Sequence, residues 1–393
     1  MNLINSFDYS PRTRLVFGVN TVERVGELAR ELGAQRVLVV TDPGIVAAGH
    51  AEKVQDLLRK QQLSVSCFDQ VRENPDTRCV DECLAVAREF ATDTIIGLGG
   101  GSSLDTAKGC NFLLTNGGQM KDYRGIGKAR LPMLPLIAIP TTGGTGSECQ
   151  SFALIADEQT HQKMACGDPK AAARVAILDP ALTVSQPPRV TACSGIDALA
   201  HALETAVTNK RTPLSLLFSR EALRLTLAGL PRVLKDPADL EARGWMLLGA
   251  ALAGTAIENS MLGAAHAAAN PLTAHYGIVH GHAVGLMLPH VIRFNAAELS
   301  SASAYADAAA SSSSSFSSSS SKDQTCAAEF LAQQVERFLD LASLPRSLRD
   351  LGIKSDAIPQ LASEAAGQWT AQFNPRPVSV KDFQEMYTLT QLG

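Results

Sequence analysis

The stretch "TIIGLGGGSSLDTAK" (Thr94–Lys108) decides the fold. It opens with an apolar, β-branched run, passes through three glycines, and continues with a helical pattern from about Ser103. A strand that ends in a glycine-rich turn and feeds a helix is the basic step of an α/β sheet protein. The turn has a chemical use. Backbone N–H groups at a helix N-terminus, with the helix dipole, attract anions. Glycines at 99, 100 and 101 lack a Cβ and let a phosphate come close. The spacing is not GxGxxG, so this is not the usual dinucleotide fingerprint.

Working outward, similar runs recur through the first half. "RVLVVTD" (Arg36–Asp42), "VSCFDQV" (Val65–Val71), "LPLIAIPTT" (Leu134–Thr142) and "ARVAILDP" (Ala173–Pro180) read as strands. They are almost continuously apolar, as expected for a parallel sheet covered on both faces. Helical patterns such as "AEKVQDLLRKQQ" and "DECLAVAREFA" lie between them. The first half is therefore expected to be a doubly wound, mostly parallel α/β domain. After Ser185-Gln186-Pro187-Pro188 the strand patterns stop, and alanine- and leucine-rich segments run to the C-terminus. Two domains are expected, 1–185 α/β and 186–393 all-helical. One segment fits neither pattern: "ASSSSSFSSSSSK" (Ala310–Lys322) is low-complexity and reads either as a flexible linker or loop insertion, or as serines that do not reflect a natural sequence.

A second glycine-rich turn, "IPTTGGTGSE" (Ile139–Glu148), follows another strand and adds hydroxyls. Either turn alone also reads as ordinary structure. Two of them at strand ends of one sheet mark the place where open α/β sheets bind ligands. Asp42 ends an earlier strand in "VVTDPG". A carboxylate there can accept from a ribose 2′-OH and would repel a 2′-phosphate, favouring NAD over NADP. It is also the residue type expected before Pro43-Gly44 in a turn.

Bulk properties narrow the function. The chain has 393 residues, 45% hydrophobic and 19% charged, with a formal net charge of −4. With a pI near 6.1 and no basic cluster, nothing points to nucleic acid or a membrane surface. No apolar run reaches the roughly 18 residues of a spanning helix, and the N-terminus lacks a signal core. Eight cysteines without paired spacing read as free thiols of a cytoplasmic protein.

In the second half, "GIDALAHALETAV" (Gly195–Val207) sets Asp197 and His201 four residues apart in an apolar helix pattern. Positions i and i+4 share a face. Five of the eight histidines follow in "GAAHAAANPLTAHYGIVHGHAVGLMLPH": His266, His275, His280, His282 and His290. A lone histidine in an apolar stretch is ordinarily a satisfied core residue. A carboxylate with several imidazoles suits a divalent transition metal, and His266 and His280 could complete the half-site on the first helix.

With these motifs in hand, the chain resembles the iron-containing, group III alcohol dehydrogenases. "GGGSSLDTAK", "IPTTGGTGSE", "GIDALAHALE" and "HGHAVGLMLPHV" fall in that family's order. The resemblance runs from "LVFG" near Leu15 to "LPHVIRFN" ending at Asn295. It implies a dehydroquinate synthase-like architecture: a dinucleotide-binding α/β domain, a helical domain, and a metal in the cleft between them. It implies Asp197, His201, His266 and His280 as ligands of Fe²⁺, a donor set that would also hold Zn²⁺. For NAD it implies Asp42 at the 2′-OH and Asn74 on the adenosine side. Gly99, Gly100, Gly101, Ser102 and Ser103 would hold the pyrophosphate. Thr141, Thr142 and Thr145 form the second turn, and Leu154 and Lys163 line the nicotinamide ribose, although Lys163 also reads as a solvated loop lysine. It further implies a homodimer, paired through the early "RLVFG" strand (Arg14–Gly18).

One departure concerns the proton. "HAAANPL" carries Asn270 where many family members have a second histidine near the nicotinamide, and asparagine cannot titrate. The proton would then leave through water or a ribose hydroxyl, or through His275 five residues on. Otherwise alcohol oxidation is weak and the natural substrate differs. His275 also reads as a plain surface or pocket-lining residue. Two other functions compete with a small-alcohol or aldehyde oxidoreductase. A dehydroquinate synthase-like lyase needs basic residues for a carboxylated sugar phosphate, yet "GIDALAHALE" and "MLGAAHAAANPLTAHYG" contain no lysine or arginine. A binding or regulatory protein without turnover would have no use for four intact ligands, because a buried carboxylate is costly to keep.

Overall fold

The computed structural model describes residues 6–160, 162–312 and 321–392. The described residues form two compact units, one of residues 10–186 and one of residues 6–9 with 187–392.

In the first unit the strands are β1 (Arg14–Phe17), β2 (Arg36–Val40), β3 (Ser64–Phe68), β4 (Thr94–Gly99), β5 (Gly125–Ile126), β6 (Leu136–Pro140), β7 (Phe152–Ala156), β8 (Lys163–Gly167) and β9 (Val175–Leu178). The helices are α1 (Val25–Glu31), α2 (Pro43–Ala47), α3 (His50–Lys60), α4 (Thr77–Glu89) and α5 (Gly101–Asn116). Six strands make one parallel sheet in the order β1-β9-β6-β4-β2-β3. The expected strands are there but shorter. β2 stops at Val40 because Asp42 turns the chain and caps α2, accepting the Ile45 N–H at 3.1 Å. α5 begins two residues earlier than its pattern suggests, at Gly101.

Alternation along the strands divides the sheet core in two. Leu38, Val40, Ile95 and Ala138 pack with Val80, Leu84, Leu104 and Leu113 of α4 and α5. Val37, Val39, Ile96, Leu98, Ile137 and Ile139 pack with Val25, Leu28, Val54 and Leu58 of α1 and α3. Both faces are covered, which is why the strands read as unbroken apolar runs. Each fully buried large side chain contributes about 1.5–3 kcal/mol. A second sheet, β5-β8-β7, was not evident in the sequence pattern. Its antiparallel pair sets Leu154 opposite Ala165 and Ala156 opposite Lys163.

The second unit is helical among the described residues. It comprises α6 (Pro188–Val207), α7 (Pro213–Lys235), α8 (Leu240–Glu258), α9 (Ala264–Tyr276), α10 (His280–Asn295), α11 (Leu299–Ser312), α12 (Ser321–Leu341), α13 (Ile358–Ala366) and α14 (Val380–Leu392). Pro188 occupies the first turn of α6, where a missing N–H costs nothing. α6 is buried on nearly every side, from Thr191 to Val207, so polar groups on it have to be matched internally. Leu199, Leu223, Met246, Met287, Phe338 and Tyr387 belong to one continuous core. The serine-rich stretch falls between α11 and α12, and its residues 313–320 lie outside the described residues. Its flanks are helical up to Ser312 and again from Ser321, where the sequence suggested a loop. No helix among the described residues is long and apolar enough to cross a membrane.

Candidate metal centre and nucleotide-binding turns

In the helical unit, Asp197 and His201 project from one face of α6 towards His266 in the first turn of α9. All three side chains are buried, with 5–7% of their surface exposed. A single carboxylate oxygen, Asp197 Oδ1, faces two imidazoles: His201 Nε2 at 3.6 Å and His266 Nε2 at 3.4 Å. The rings of His201 and His266 stack, with centroids 4.8 Å apart and planes 17° from parallel. One ligand atom from each residue lies within 4.8 Å of the others.

The donor chemistry fits a divalent cation. Neither Asp197 Oδ1 nor His266 Nε2 makes a hydrogen bond, although both are buried. Buried polar atoms left in this state ordinarily find a partner, and a cation would satisfy both at once. One carboxylate with imidazoles suits Fe²⁺ or Zn²⁺. The electrostatics agree. Burial works against charge on Asp197, yet His201, with His266 and His280, holds its carboxyl well below the usual range. Burial likewise disfavours charge on His266, but the Glu204 and Asp197 carboxylates raise it to about 9.

His280 opens α10 and stands farther out. Its ring centroid is 5.4 Å from that of His266, so it flanks the group of three rather than joining its tight cluster. Gly281 explains how His280 comes this near. A Cβ at Gly281 would lie 2.0 Å from the Cys193 carbonyl oxygen and 3.2 Å from Asp197 Cβ. Only glycine lets α10 start directly against α6.

The two residues considered for proton transfer are held elsewhere on α9. Asn270 is half-buried and donates from Nδ2 to Gln368 Oε1 at 3.1 Å. The His275 side chain is 41% exposed and its Nε2 lies 2.7 Å from Glu364 Oε2. Glu204, overlooked in the helix that carries Asp197 and His201, touches His266 directly: its Oε2 lies 2.5 Å from His266 Nδ1. Nothing in the local sequence pairs it with a histidine 62 positions away.

In the α/β unit the two glycine turns are neighbours, because β4 and β6 pair with Gly99 opposite Pro140. Gly101 sits against Thr145, where a Cβ would come within 2.7 Å of the threonine side chain. Gly100 lies beside Thr142 in the same way, at 3.5 Å. The Thr141 N–H donates to the Gly99 carbonyl at 3.0 Å. No side chain caps α5, so its first turn is built of backbone and serine hydroxyls. β2 and β4 flank the point where strand order reverses, the usual ligand position in open α/β sheets. Asp42 and Ser103 meet there, the Ser103 hydroxyl donating to Asp42 Oδ2 at 3.3 Å. Asn74, with a left-handed φ of 52°, donates its N–H to Ser102 Oγ at 3.3 Å.

Beneath these turns lies a polar network that sequence reasoning missed. The Lys108 ammonium, wholly buried, donates to the Ser147 carbonyl at 2.6 Å, the Ser147 hydroxyl at 2.8 Å and the Phe152 carbonyl at 2.9 Å. The Ser147 hydroxyl donates to Asp105 Oδ1 at 2.6 Å, and Asp105 Oδ2 accepts the Leu154 N–H at 3.2 Å. These bonds tie α5 to the second turn and to β7, and so place Leu154. Lys163, exposed on β8, exerts an attraction on the same Asp105 carboxylate. Next to Ser147, Glu148 is buried with Oε1 lacking a hydrogen bond, and burial pushes its carboxyl up to about 7. The signal was present in "LDTAK" and "GSE": charged residues inside runs that are otherwise buried.

Comparison with known proteins finds relatives along almost the whole chain. Residues 11–180 match the family described as "Iron-containing alcohol dehydrogenase", and residues 191–390 match "Fe-containing alcohol dehydrogenase family, C-terminal". The NAD-dependent methanol dehydrogenase of Bacillus methanolicus is 32% identical, over 94% of this chain and 96% of that protein. The crystal structure of a 1,3-propanediol oxidoreductase superposes with a TM-score of 0.92 at 32% identity, covering 98% of this chain and 100% of that one. A sulfoacetaldehyde reductase from Bifidobacterium kashiwanohense, in complex with NAD+, gives 0.86 at 26% identity, covering 98% and 99%. The chain belongs to the iron-containing alcohol dehydrogenase family.

Proposed function

We propose that this family member transfers a hydride between NAD(H) and a small, mostly uncharged primary or secondary alcohol, reducing the matching aldehyde or ketone in reverse. Family membership makes it a metal-dependent oxidoreductase acting on alcohols. The observation that carries the reading is the buried set of Asp197, His201 and His266, with two imidazoles facing one carboxylate oxygen. When bound, a divalent ion supplies Lewis acidity towards the substrate oxygen and the nicotinamide accepts the hydride. The chain's own part is to hold these groups. Asp197 contributes the negative charge, and His201, His266 and, from α10, His280 contribute imidazole nitrogens. We infer iron as the ion, with zinc compatible with the same donors.

The nucleotide is read by the α/β unit. The passage from β4 into α5, Gly99 to Ser103, presents N–H groups and hydroxyls to the pyrophosphate, with Thr141, Thr142 and Thr145 beside it. Asp42 takes the 2′-OH and Asn74 the adenosine side, while Leu154 and Lys163 line the nicotinamide ribose. Asp42 caps α2 through Oδ1, and its Oδ2, which accepts from Ser103, has a second lone pair to offer the ribose. Asn270 cannot carry a proton, and His275 is paired with Glu364. The alcohol proton therefore leaves through water or a ribose hydroxyl unless His275 exchanges partners.

We also infer a homodimer, supported by β1 at the sheet edge, where Leu15 and Phe17 are exposed. Exposed strand edges tend to be covered, and sedimentation at micromolar concentration tests this. A cytoplasmic setting is supported by the eight cysteines, which form no disulfide among the described residues. The deciding experiment follows NADH absorbance with a panel of alcohols and aldehydes, using protein loaded with Fe²⁺ or Zn²⁺. Turnover with short, uncharged alcohols is expected. A loaded enzyme that turns over none of them would end the reading.

A further inference from the structure

Glu204 lies three residues past His201 and seven past Asp197 on α6, so the three share one face of the helix. Its side chain is 4% exposed. Both of its oxygens are engaged at one place, the start of α9. Oε2 lies 2.5 Å from His266 Nδ1, and Oε1 accepts the Ala265 N–H at 2.7 Å. Asn374 Oδ1 accepts the neighbouring Ala264 N–H at 3.3 Å. A Cβ at Gly263 would stand 3.2 Å from Glu204 Oε1, so the glycine leaves room for the carboxylate.

A carboxylate opposite an imidazole nitrogen decides which nitrogen keeps its proton. Here Nδ1–H donates to Glu204. In the neutral ring that a metal ion binds, this leaves the Nε2 lone pair on the side where Asp197 Oδ1 lies 3.4 Å away. Two N–H donors converge on Glu204, and only a carboxylate accepts from both. A glutamine would accept one of them and turn its amide N–H₂ towards the other. If that group faced His266, the ring proton would move to Nε2.

We propose that Glu204 is a positioning residue that fixes His266 as its Nδ1–H tautomer, presents Nε2 to the metal, and thereby sets how tightly the site binds. The proposal rests on the metal-site reading above. Its test uses the full chain with Co²⁺ as the probe. Affinity is measured by competition with a chelator, coordination by the visible Co²⁺ spectrum, and folding by circular dichroism and melting. Glu204→Gln is expected to weaken Co²⁺ binding roughly 10- to 100-fold and to change the spectrum. Glu204→Asp, which keeps charge and two acceptors on a shorter stem, is expected to recover part of the loss.

A folded Glu204→Gln variant with wild-type affinity and spectrum overturns the proposal while leaving the metal site intact. Wild-type protein that takes up no stoichiometric Co²⁺ overturns the metal site itself, and the proposal with it. Should the glutamine variant not fold, histidine ¹⁵N spectra of the zinc-loaded wild type decide. A proton on His266 Nδ1 with zinc on Nε2 supports the assignment, and the reverse arrangement ends it.

Discussion

At the start of α5 the groups offered to a ligand are backbone N–H groups and hydroxyls, and side chains enter mainly as supports beneath them. On α6 the offer is made by side chains alone, and the backbone around them is hidden inside helices. The first region is tuned by where glycine permits a close approach. The second is tuned by which charged group stands behind which ligand. A substitution in the α/β unit should therefore change preference or stability by degrees, whereas one among the buried ligands should remove function outright.

The hardest test of that contrast is His266→Ala. It removes the imidazole that stands between two buried carboxylates, leaving Glu204 with the Ala265 N–H at 2.7 Å and Asp197 with His201 at 3.6 Å. Bound metal and kcat/KM should each fall by more than roughly 100-fold, with a lowered Tm. Chelation of the wild type should mimic the activity loss. Retention of stoichiometric metal, measured by elemental analysis, would erase the distinction between the two regions.

Glu148 offers the largest effect expected in the α/β unit. Its folded carboxyl titrates near 7, above its ordinary value of 4.5. A raised carboxyl contributes stability that is complete below about pH 4.5 and is lost as pH rises through 7. Glu148→Gln does not titrate. Its stability relative to wild type should climb across that window and level off above it, by on the order of 3 kcal/mol. Melting curves from pH 4 to pH 8 read this directly, and a constant gap would show that Glu148 is not held neutral.

Asp42→Asn keeps the cap on α2 and removes only the charge. The ratio of kcat/KM for NAD over NADP should shrink about tenfold. A wild-type enzyme that already prefers NADP would show that Asp42 serves its turn and nothing more.

The smallest effect belongs to Asn270→His. A new limb should enter the pH–rate profile between about pH 6 and 7, where imidazole ordinarily ionises, with alcohol oxidation gaining roughly tenfold or less. If the wild type already has that limb and His275→Ala abolishes it, His275 relays the proton and the new imidazole adds little. If neither change moves the profile, the proton takes a route outside α9.

The same contrast explains what could be read from the chain. Strands β2, β4, β6 and β9 were legible because a sheet covered on both faces needs long apolar runs. The glycine turns were legible because their shape is carried by local backbone. Asp197 and His201 stood out by spacing on one helix. The β7–β8 hairpin was hidden: "FALIA" and "KMACG" are short, and part of their fixing comes from Asp105 and Lys108 on another element. Glu204 was hidden for the same reason, since its meaning lies in an imidazole on a different helix. Glu364, the partner of His275, lies 89 positions downstream, beyond any local pattern.

The seam at Gly281 has a consequence for how such a protein can be altered. Contact there is backbone against a bare α-carbon, so there is no side chain to trim or extend. Chemistry at Asp197, His201 and His266 can be revised in their own side chains, but the position of His280 is held by the backbone beside it. Its distance from α6 behaves like a fixed length of hardware, set by how closely the bare α-carbon of Gly281 approaches the Cys193 carbonyl. A protein engineer who wants to widen this end of the site has a single handle on that dimension, because any side chain placed at Gly281 meets the Cys193 carbonyl and has to lift the start of α10 away from α6.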